Sequence, residues 1–412
     1  MTKSNSNGIL SGTLVLDLSR VLAGPWATQI LADLGATVIK VEHPVGGDDT
    51  RDFGPPFFSL PDDAGELSAY FLSANRGKQS VCIDIRKPEG VELVLKLAAI
   101  SDVLVENFKY GDLQRRGLGY EAVNAVNPKI VYCSVTGFGH TGPAKAKPGY
   151  DMVVQGMAGL MSITGESDEA GGQPQKIGVA LADIMTGLYS TIAILAALKE
   201  RDQSGLGQHI DMALMDVVTA SLANQASNYL VTGEVPGRMG NEHPNIVPYQ
   251  VFETRDGHVI VAVANDSQFE KFCRVIGQPQ LAADPRYKKN AGRVTHRREL
   301  IPILAEILSA RAMDDWLEDF AAEGVPVSPI NTIDRVFADE QSIARQMRQE
   351  IQGVPLVANP IKFSRSQLEQ SQRPPLHGEH NALLGELLGL SSDELSELTN
   401  NQVIGKQEGK DE

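Results

Sequence analysis

The sequence predicts an α/β protein: a doubly wound, Rossmann-like large domain joined to a smaller α+β domain. Three observations predict it. From Thr13 to Val135, short apolar runs alternate with helix-period segments, the pattern of parallel strands covered on both faces. Around Arg255, Asp256 and Gly257, two alternating runs meet in a hairpin signal. The 412-residue length accommodates two domains and a substantial core. The large domain is expected over 1–224, the small one over 225–330, and 331–412 is expected to return to the large domain.

Thr13–Leu18 has strand composition. Pro25 suits a first helical turn, where its missing N–H has no partner to lose. Trp26–Leu34 follows with helical periodicity, and Gly35 closes it. Ala36–Val41 and Ser80–Ile85 are the next strands. A helix is expected over Pro88–Ile100, then strands at Asp102–Glu106 and Ile130–Val135. In the smaller domain, strands Val247–Glu253 and His258–Ala264 precede helices near Ser267–Ile276, Arg297–Leu308 and Met313–Glu323. A strand at Val325–Ile330 and a last helix near Glu379–Leu390 complete the chain. The charged tail from Gly405 is expected to fray.

The net charge of −15 argues against a general nucleic-acid or anionic-membrane partner, while leaving room for a local basic pocket. The three cysteines, Cys82, Cys133 and Cys273, lack metal-like spacing. They suit a reducing, cytoplasmic setting, and the few scattered histidines give no support for a metal site. The polar first residues hold no apolar core of a signal peptide.

Ile177–Leu198 carries one charge, Asp183, and is otherwise apolar on nearly every face, so a helix buried in protein is expected. A lone carboxylate there is costly unless it caps the helix or does chemistry. Gly137, Gly139 and Gly142 match GxGxxG after a strand, but Pro143 and Pro148 follow where a dinucleotide fold needs a helix. A glycine-rich ligand loop at a strand's carboxyl end remains. Basic residues gather beside strand ends: Arg20, Arg76, Lys78, Lys109, Arg115, Arg116, Lys145 and Lys147. Such a set suits a phosphorylated ligand.

Six segments in order resemble the CaiB/BaiF (family III) CoA-transferases: Val15–Arg51, Ala74–Val81, Asp102–Phe108, Ser134–Pro143, Gly149–Met161 and Ala180–Leu198. The GDDTR and VPYQ details look closest to members that act on dicarboxylates. The resemblance implies an enzyme that moves CoA from an acyl-CoA to a small carboxylic acid. It implies Asp183 as the nucleophile, forming an acyl anhydride and then an aspartyl-CoA thioester. A helix start is expected to keep Asp183 ionised near neutral pH, and the carboxylate to be incompletely hydrogen-bonded. Gly137 and Gly139 are candidates for oxyanion stabilisation.

For the CoA moiety, the resemblance points to Val21, Ala23, Asn75, Lys78, Asn107, Phe108, Arg115, Lys147, Tyr150 and Asp151. His43 stands where formyl-CoA transferase has arginine. Arg238 and His243 are candidates for the acceptor carboxylate. The implied reaction uses coenzyme A as a substrate and calls for neither a metal nor a prosthetic group. Related racemases share the fold but carry histidine where Tyr150 stands, and Tyr150 is a poor base at neutral pH. A racemase or a catalytically silent CoA-binding protein are the alternatives. The resemblance further implies a homodimer of interlocked rings.

Overall fold

The computed structural model describes residues 8–61 and 64–405; the charged tail beyond Gly405 lies outside them. Two compact units are present. The first comprises residues up to 160, 177–226 and 342 onward; the second comprises 161–176 and 227–341. The borders expected at 224 and 330 therefore shift. Residues 161–176 and 331–341 both belong to the second unit. A chain that leaves a unit and re-enters it need not break its hydrophobic period, so these crossings leave no mark in the pattern.

The strands of the first unit begin with β1 (Leu14–Asp17), β2 (Thr37–Glu42) and a small hairpin of β3 (Phe57–Ser59) and β4 (Glu66–Ser68). Next come β5 (Lys78–Cys82), β6 (Val103–Glu106), β7 (Val131–Thr136) and β8 (His209–Ala213). Six of them form a parallel sheet in the order β5-β2-β1-β6-β7-β8. The helices are α1 (Ala23–Asp33), α2 (Ala69–Ala74), α3 (Pro88–Ile100), α4 (Asp112–Arg115), α5 (Tyr120–Val126), α6 (Asp151–Met157), α7 (Leu181–Ser204) and α8 (Leu214–Ser221).

Successive strand residues feed opposite faces, as the two-residue period requires. Leu16, Ile39, Leu104 and Tyr132 pack with Leu93 and Leu97 of α3 and Val123 of α5. Val15, Val38, Val103, Val131 and Cys133 pack with Leu31 of α1, Ile194 of α7 and Val218 of α8. Strands buried on both faces read as continuous apolar runs, which is why the sequence marks them. Burial pushes the Cys133 thiol up to about 12, so it is an inert core residue.

The helix expected over Ile177–Leu198 is α7, and it is less buried than its composition suggests. Thr186, Gly187, Ser190, Thr191, Ile194 and Ala197 face the core, but Leu188, Tyr189 and Ile192 are exposed. By length and apolarity alone α7 could cross a membrane. Its inward face packs on α1, β7, β8 and α8 instead.

Helix α9 (Ala223–Thr232) leads to the second unit. There β9 (Tyr249–Glu253), β10 (His258–Ala262) and β11 (Val327–Pro329) form an antiparallel sheet in the order β11-β10-β9. The helices are α10 (Asp266–Val275), α11 (Pro279–Ala283), α12 (Asn290–Thr295), α13 (Arg297–Ser309), α14 (Met313–Ala322) and α15 (Ile333–Ala338). Phe269, Phe272, Leu300, Leu304, Trp316 and Phe320 make its core.

The chain then returns through α16 (Glu340–Ala344), the hairpin β12 (Arg348–Ile351) and β13 (Val354–Val357), α17 (Leu383–Leu388) and α18 (Ser392–Asn400). This last stretch lines the outer edge of β5. The Cys82 N–H donates to Asn381 Oδ1 at 2.7 Å, and the His380 N–H donates to the Ser80 carbonyl at 2.9 Å. The Gly405 N–H donates to the Cys82 carbonyl at 3.2 Å, and Ile83 bridges Ile404.

Candidate active site

Asp183 lies in the first turn of α7. Its side chain makes no hydrogen bond among the described residues, as the sequence led us to expect. Ala180, at the cap position, has no side chain able to cap the helix. Asp151 of α6 supplies the cap instead. Its Oδ1 accepts the Ala182 N–H at 2.8 Å and the Asp183 N–H at 3.4 Å. Its Oδ2 accepts from Gln155 Nε2 at 2.7 Å, and Gln155 Oε1 accepts the Ile177 N–H at 3.0 Å. One carboxamide thus fixes both the cap and the segment that enters α7.

This geometry overturns one expectation. The positive end of α7 is met by Asp151, so it does not hold Asp183 ionised. Burial, reinforced by the Asp151 charge, pushes the Asp183 carboxyl up to about 7. Asp151 is therefore a helix cap beside Asp183 rather than a contact placed on a nucleotide. Tyr70, at the start of α2, belongs to the same neighbourhood. Its hydroxyl is shifted upward by burial and by the charges of Asp183, Asp151 and Asp48. No motif in the sequence marked it.

Glycines set the spacing. A Cβ on Gly187 would lie 2.8 Å from the Ala23 carbonyl, so α7 seats on the start of α1 only with glycine there. A Cβ on Gly137 would lie 2.4 Å from Gly149 Cα, which brings the entrance of α6 against the end of β7. The oxyanion role expected of Gly137 and Gly139 gains no support from this. The Gly139 N–H already donates to Thr136 Oγ1 at 2.9 Å, and Gly137 serves close packing.

The loop after β1 carries Val21 at φ +68, with Ala23 buried behind it. Asn107 reaches this loop, not open solvent. Its Oδ1 accepts the Arg20 N–H at 2.9 Å, and its Nδ2 donates to the Arg20 carbonyl at 2.6 Å. Arg20 stacks over Phe108 at 5.4 Å. Beside them, at the carboxyl ends of β1, β2, β5 and β6, lies a cavity of about 180 Å³. Leu18, Ile83 and Phe108 supply apolar wall; Arg20, Arg86 and Arg116 supply positive charge, and Glu42 and His43 also line it. Such a combination suits a flat base carrying phosphates. Arg86 was missed in the sequence, although it directly follows the strand expected at Ser80–Ile85.

Other expected ligands go elsewhere. Asn75 and Lys78 are buried and bonded to each other, Lys78 Nζ to Asn75 Oδ1 at 2.9 Å. Lys78 Nζ also reaches Asp17 Oδ2 at 3.1 Å and the Pro25 carbonyl at 3.0 Å. The pair stitches β5 to β1 and α1, so neither side chain is available to a nucleotide. Arg115 is exposed and pairs with Asp112. Lys147 and Tyr150 are exposed on the loop leading to α6.

Arg238 and His243 lie in the second unit. Arg238 folds back on the 161–176 segment, pairing with Asp168 and donating to the Glu166 carbonyl at 3.1 Å. His243 Nδ1 accepts the Asn245 N–H at 3.0 Å, and burial with the Arg297 charge lowers its pKa. Both side chains are thus committed within their own unit, which removes the basis for a free acceptor clamp. Among the described residues no cluster of metal-ligating side chains occurs.

Comparison with known proteins places the chain in a family. The model of CoA-transferase family III matches residues 10–381. The succinate–glutarate CoA-transferase of Agrobacterium fabrum is 50% identical over 92% of this chain and 95% of its own. The Homo sapiens succinyl-CoA:glutarate CoA-transferase is 41% identical over 98% of this chain and 92% of its own. A crystal structure of a CaiB/BaiF family protein from Brucella suis superposes with a TM-score of 0.83 at 51% identity. That match covers 93% of this chain and 100% of the other.

Proposed function

The chain belongs to CoA-transferase family III, and we propose that it moves coenzyme A from succinyl-CoA to glutarate or a similar short dicarboxylate, with Asp183 as the nucleophile. The observation that carries this is the Asp183 carboxylate: partly buried, without a hydrogen-bond partner, and raised to about 7. An oxyanion free of donors is a stronger nucleophile than a fully solvated one. The substrates named for these relatives suggest the acyl donor and the acceptor class.

In the first step the Asp183 carboxylate adds to the thioester carbonyl of succinyl-CoA. The carbon–sulfur bond breaks, CoA leaves as the thiolate, and a succinyl–aspartyl anhydride remains. The thiolate then attacks the aspartyl carbonyl, releasing succinate and leaving an aspartyl-CoA thioester. A glutarate carboxylate displaces CoA to form a second anhydride. The returning thiolate takes the glutaryl group and frees Asp183. Each step exchanges one acyl bond for another, so the cycle calls for no prosthetic group, metal or ATP.

The cavity beneath Arg20, Arg86 and Arg116 is the place for the CoA nucleotide, with the Val21–Ala23 loop beneath the pantetheine and Phe108 against the base. The functional protein is a homodimer of interlocked rings: a second copy covers the exposed Leu188, Tyr189 and Ile192 of α7 and Met152, Val153 and Met157 of α6. Its partners are these acids and thioesters, not nucleic acid or membrane. Its three buried cysteines suit the cytoplasm.

Mixing the protein with succinyl-CoA and glutarate should yield glutaryl-CoA and succinate. Hydroxylamine added with succinyl-CoA alone should convert Asp183 to its hydroxamate. Full exchange by Asp183→Ala would overturn the assignment. Loss of an α-deuterium from a 2-methylacyl-CoA without any acceptor acid would point to a racemase instead.

A further inference from the structure

The loop between β1 and α1 holds a side chain in a backbone conformation that it disfavours. Val21 sits at φ +68, where a β-branched residue is a genuine outlier. Strain of this kind persists only where the surroundings over-determine it, and it gathers at ligand sites. The surroundings are visible. Asn107 grips Arg20 from one side through its N–H and its carbonyl. From the other side, Asp48 Oδ1 accepts the Val21 N–H at 3.2 Å.

Asp48 is itself immobilised. The same Oδ1 accepts the Thr50 N–H at 3.0 Å and the Thr50 hydroxyl at 2.8 Å. Its Oδ2 meets Lys40 Nζ at 2.8 Å, and Lys40 also donates to the Ser19 carbonyl at 2.9 Å, in the same loop. The side chains of both Lys40 and Asp48 are fully buried. A buried ion pair adds little net stability over apolar packing. This one ties β2 and the turn after it to the loop after β1. Two residues past Val21, the Ala23 carbonyl backs onto Gly187, about one turn along α7 from Asp183. Loop and nucleophile therefore share one rigid frame, and Tyr70 feels the charges of both Asp48 and Asp183.

We propose that Asp48 is a positioning residue for the acyl-CoA site, holding Val21 in its left-handed backbone so that the loop is already shaped when the thioester arrives. This rests on the reading of the Val21–Ala23 loop as an acyl-CoA contact.

The test is a cycle of Asp48→Ala, Val21→Gly and the double variant. Asp48→Ala should raise KM for succinyl-CoA about tenfold while kcat stays within about threefold. In the Val21→Gly background the same change should raise KM less than about threefold, because glycine takes positive φ without a clamp. A crystal structure of Asp48→Ala should show Val21 relaxed to negative φ. Equal KM increases in both backgrounds, or Val21 still at positive φ, overturns the proposal. If Asp48→Ala does not fold, Thr50→Val takes its place, since it removes a hydroxyl that orients the same oxygen. If the wild type binds CoA in calorimetry yet transfers it to no acid, the transferase reading fails while this one stands. CoA affinity then replaces KM in the same cycle.

Discussion

Asp151 accepts the backbone N–H of Asp183 at 3.4 Å while its charge opposes ionisation of the Asp183 side chain. One carboxylate thus orders the helix that bears Asp183 and makes the Asp183 carboxylate more basic.

Asp151→Asn separates the two effects. Asparagine keeps an oxygen for the Ala182 N–H but loses the charge. The ionisation of Asp183 should fall from about 7 toward the ordinary carboxylate range. The acidic limb of the kcat–pH profile should move down with it by roughly one unit, since one like charge is removed. An unmoved limb would show that burial alone sets the value.

Asp183 also makes a stability prediction. Its folded-state pKa is raised, so the folded protein holds a proton that the unfolded chain releases. The resulting stability is complete below the unfolded value near 3.8 and is lost as pH rises through about 7. Asp183→Asn should therefore be more stable than wild type at pH 8, by about 4 kcal/mol, with the gap closing toward pH 4. Calorimetric melts across pH read this directly. The same variant should lose transfer by roughly a thousandfold or more.

Lys78 is a core residue on this structure. Lys78→Met leaves the buried Asp17 carboxylate without its nearest cation, at a cost of about 3–5 kcal/mol. Denaturant melts should show that loss, while KM for acyl-CoA in the folded fraction changes little. A large KM change with intact stability would return Lys78 to the nucleotide site.

Gly187→Ala tests the seating of α7 on α1. The added methyl meets the Ala23 carbonyl at 2.8 Å, and backbone cannot yield as a side-chain tip can. A loss of about 1–3 kcal/mol is expected, with a rise in KM for acyl-CoA as the loop is displaced.

Arg116→Ala should raise KM for acyl-CoA about tenfold, the scale of one charge-assisted hydrogen bond. The effect should shrink at high salt, because Arg116 is exposed.

Much of the sheet was legible because its strands are buried on both faces. The expected strands at Thr13–Leu18, Ala36–Val41, Asp102–Glu106 and Ile130–Val135 are β1, β2, β6 and β7 with shifts at their ends. The expected Pro88–Ile100 is α3. Strand β8 went unread because it is only partly buried at the sheet's rim, and Asp211 interrupts its apolar run. The strand expected at Val325–Ile330 exists as β11, paired with β10. At the site, sequence singled out Asp183 and Asp151 but not their relation, which depends on a contact between two helices. It took Lys78 and Asn75 for ligands because a basic residue at a strand shows its charge in sequence, while its buried partner Asp17 shows nothing of the pairing.

The outer edge of β5 is closed by backbone and side-chain groups from the last few dozen residues of the described chain. During synthesis that edge must wait, unpaired, until the segment from Asn381 to Gly405 has emerged. An open parallel edge is a template for other chains. A message cut short just before Asn381 would therefore make a protein that retains Asp183 and the six-stranded sheet, yet is prone to aggregate. For this chain, translation through Gly405 is a condition of solubility before it is a condition of activity.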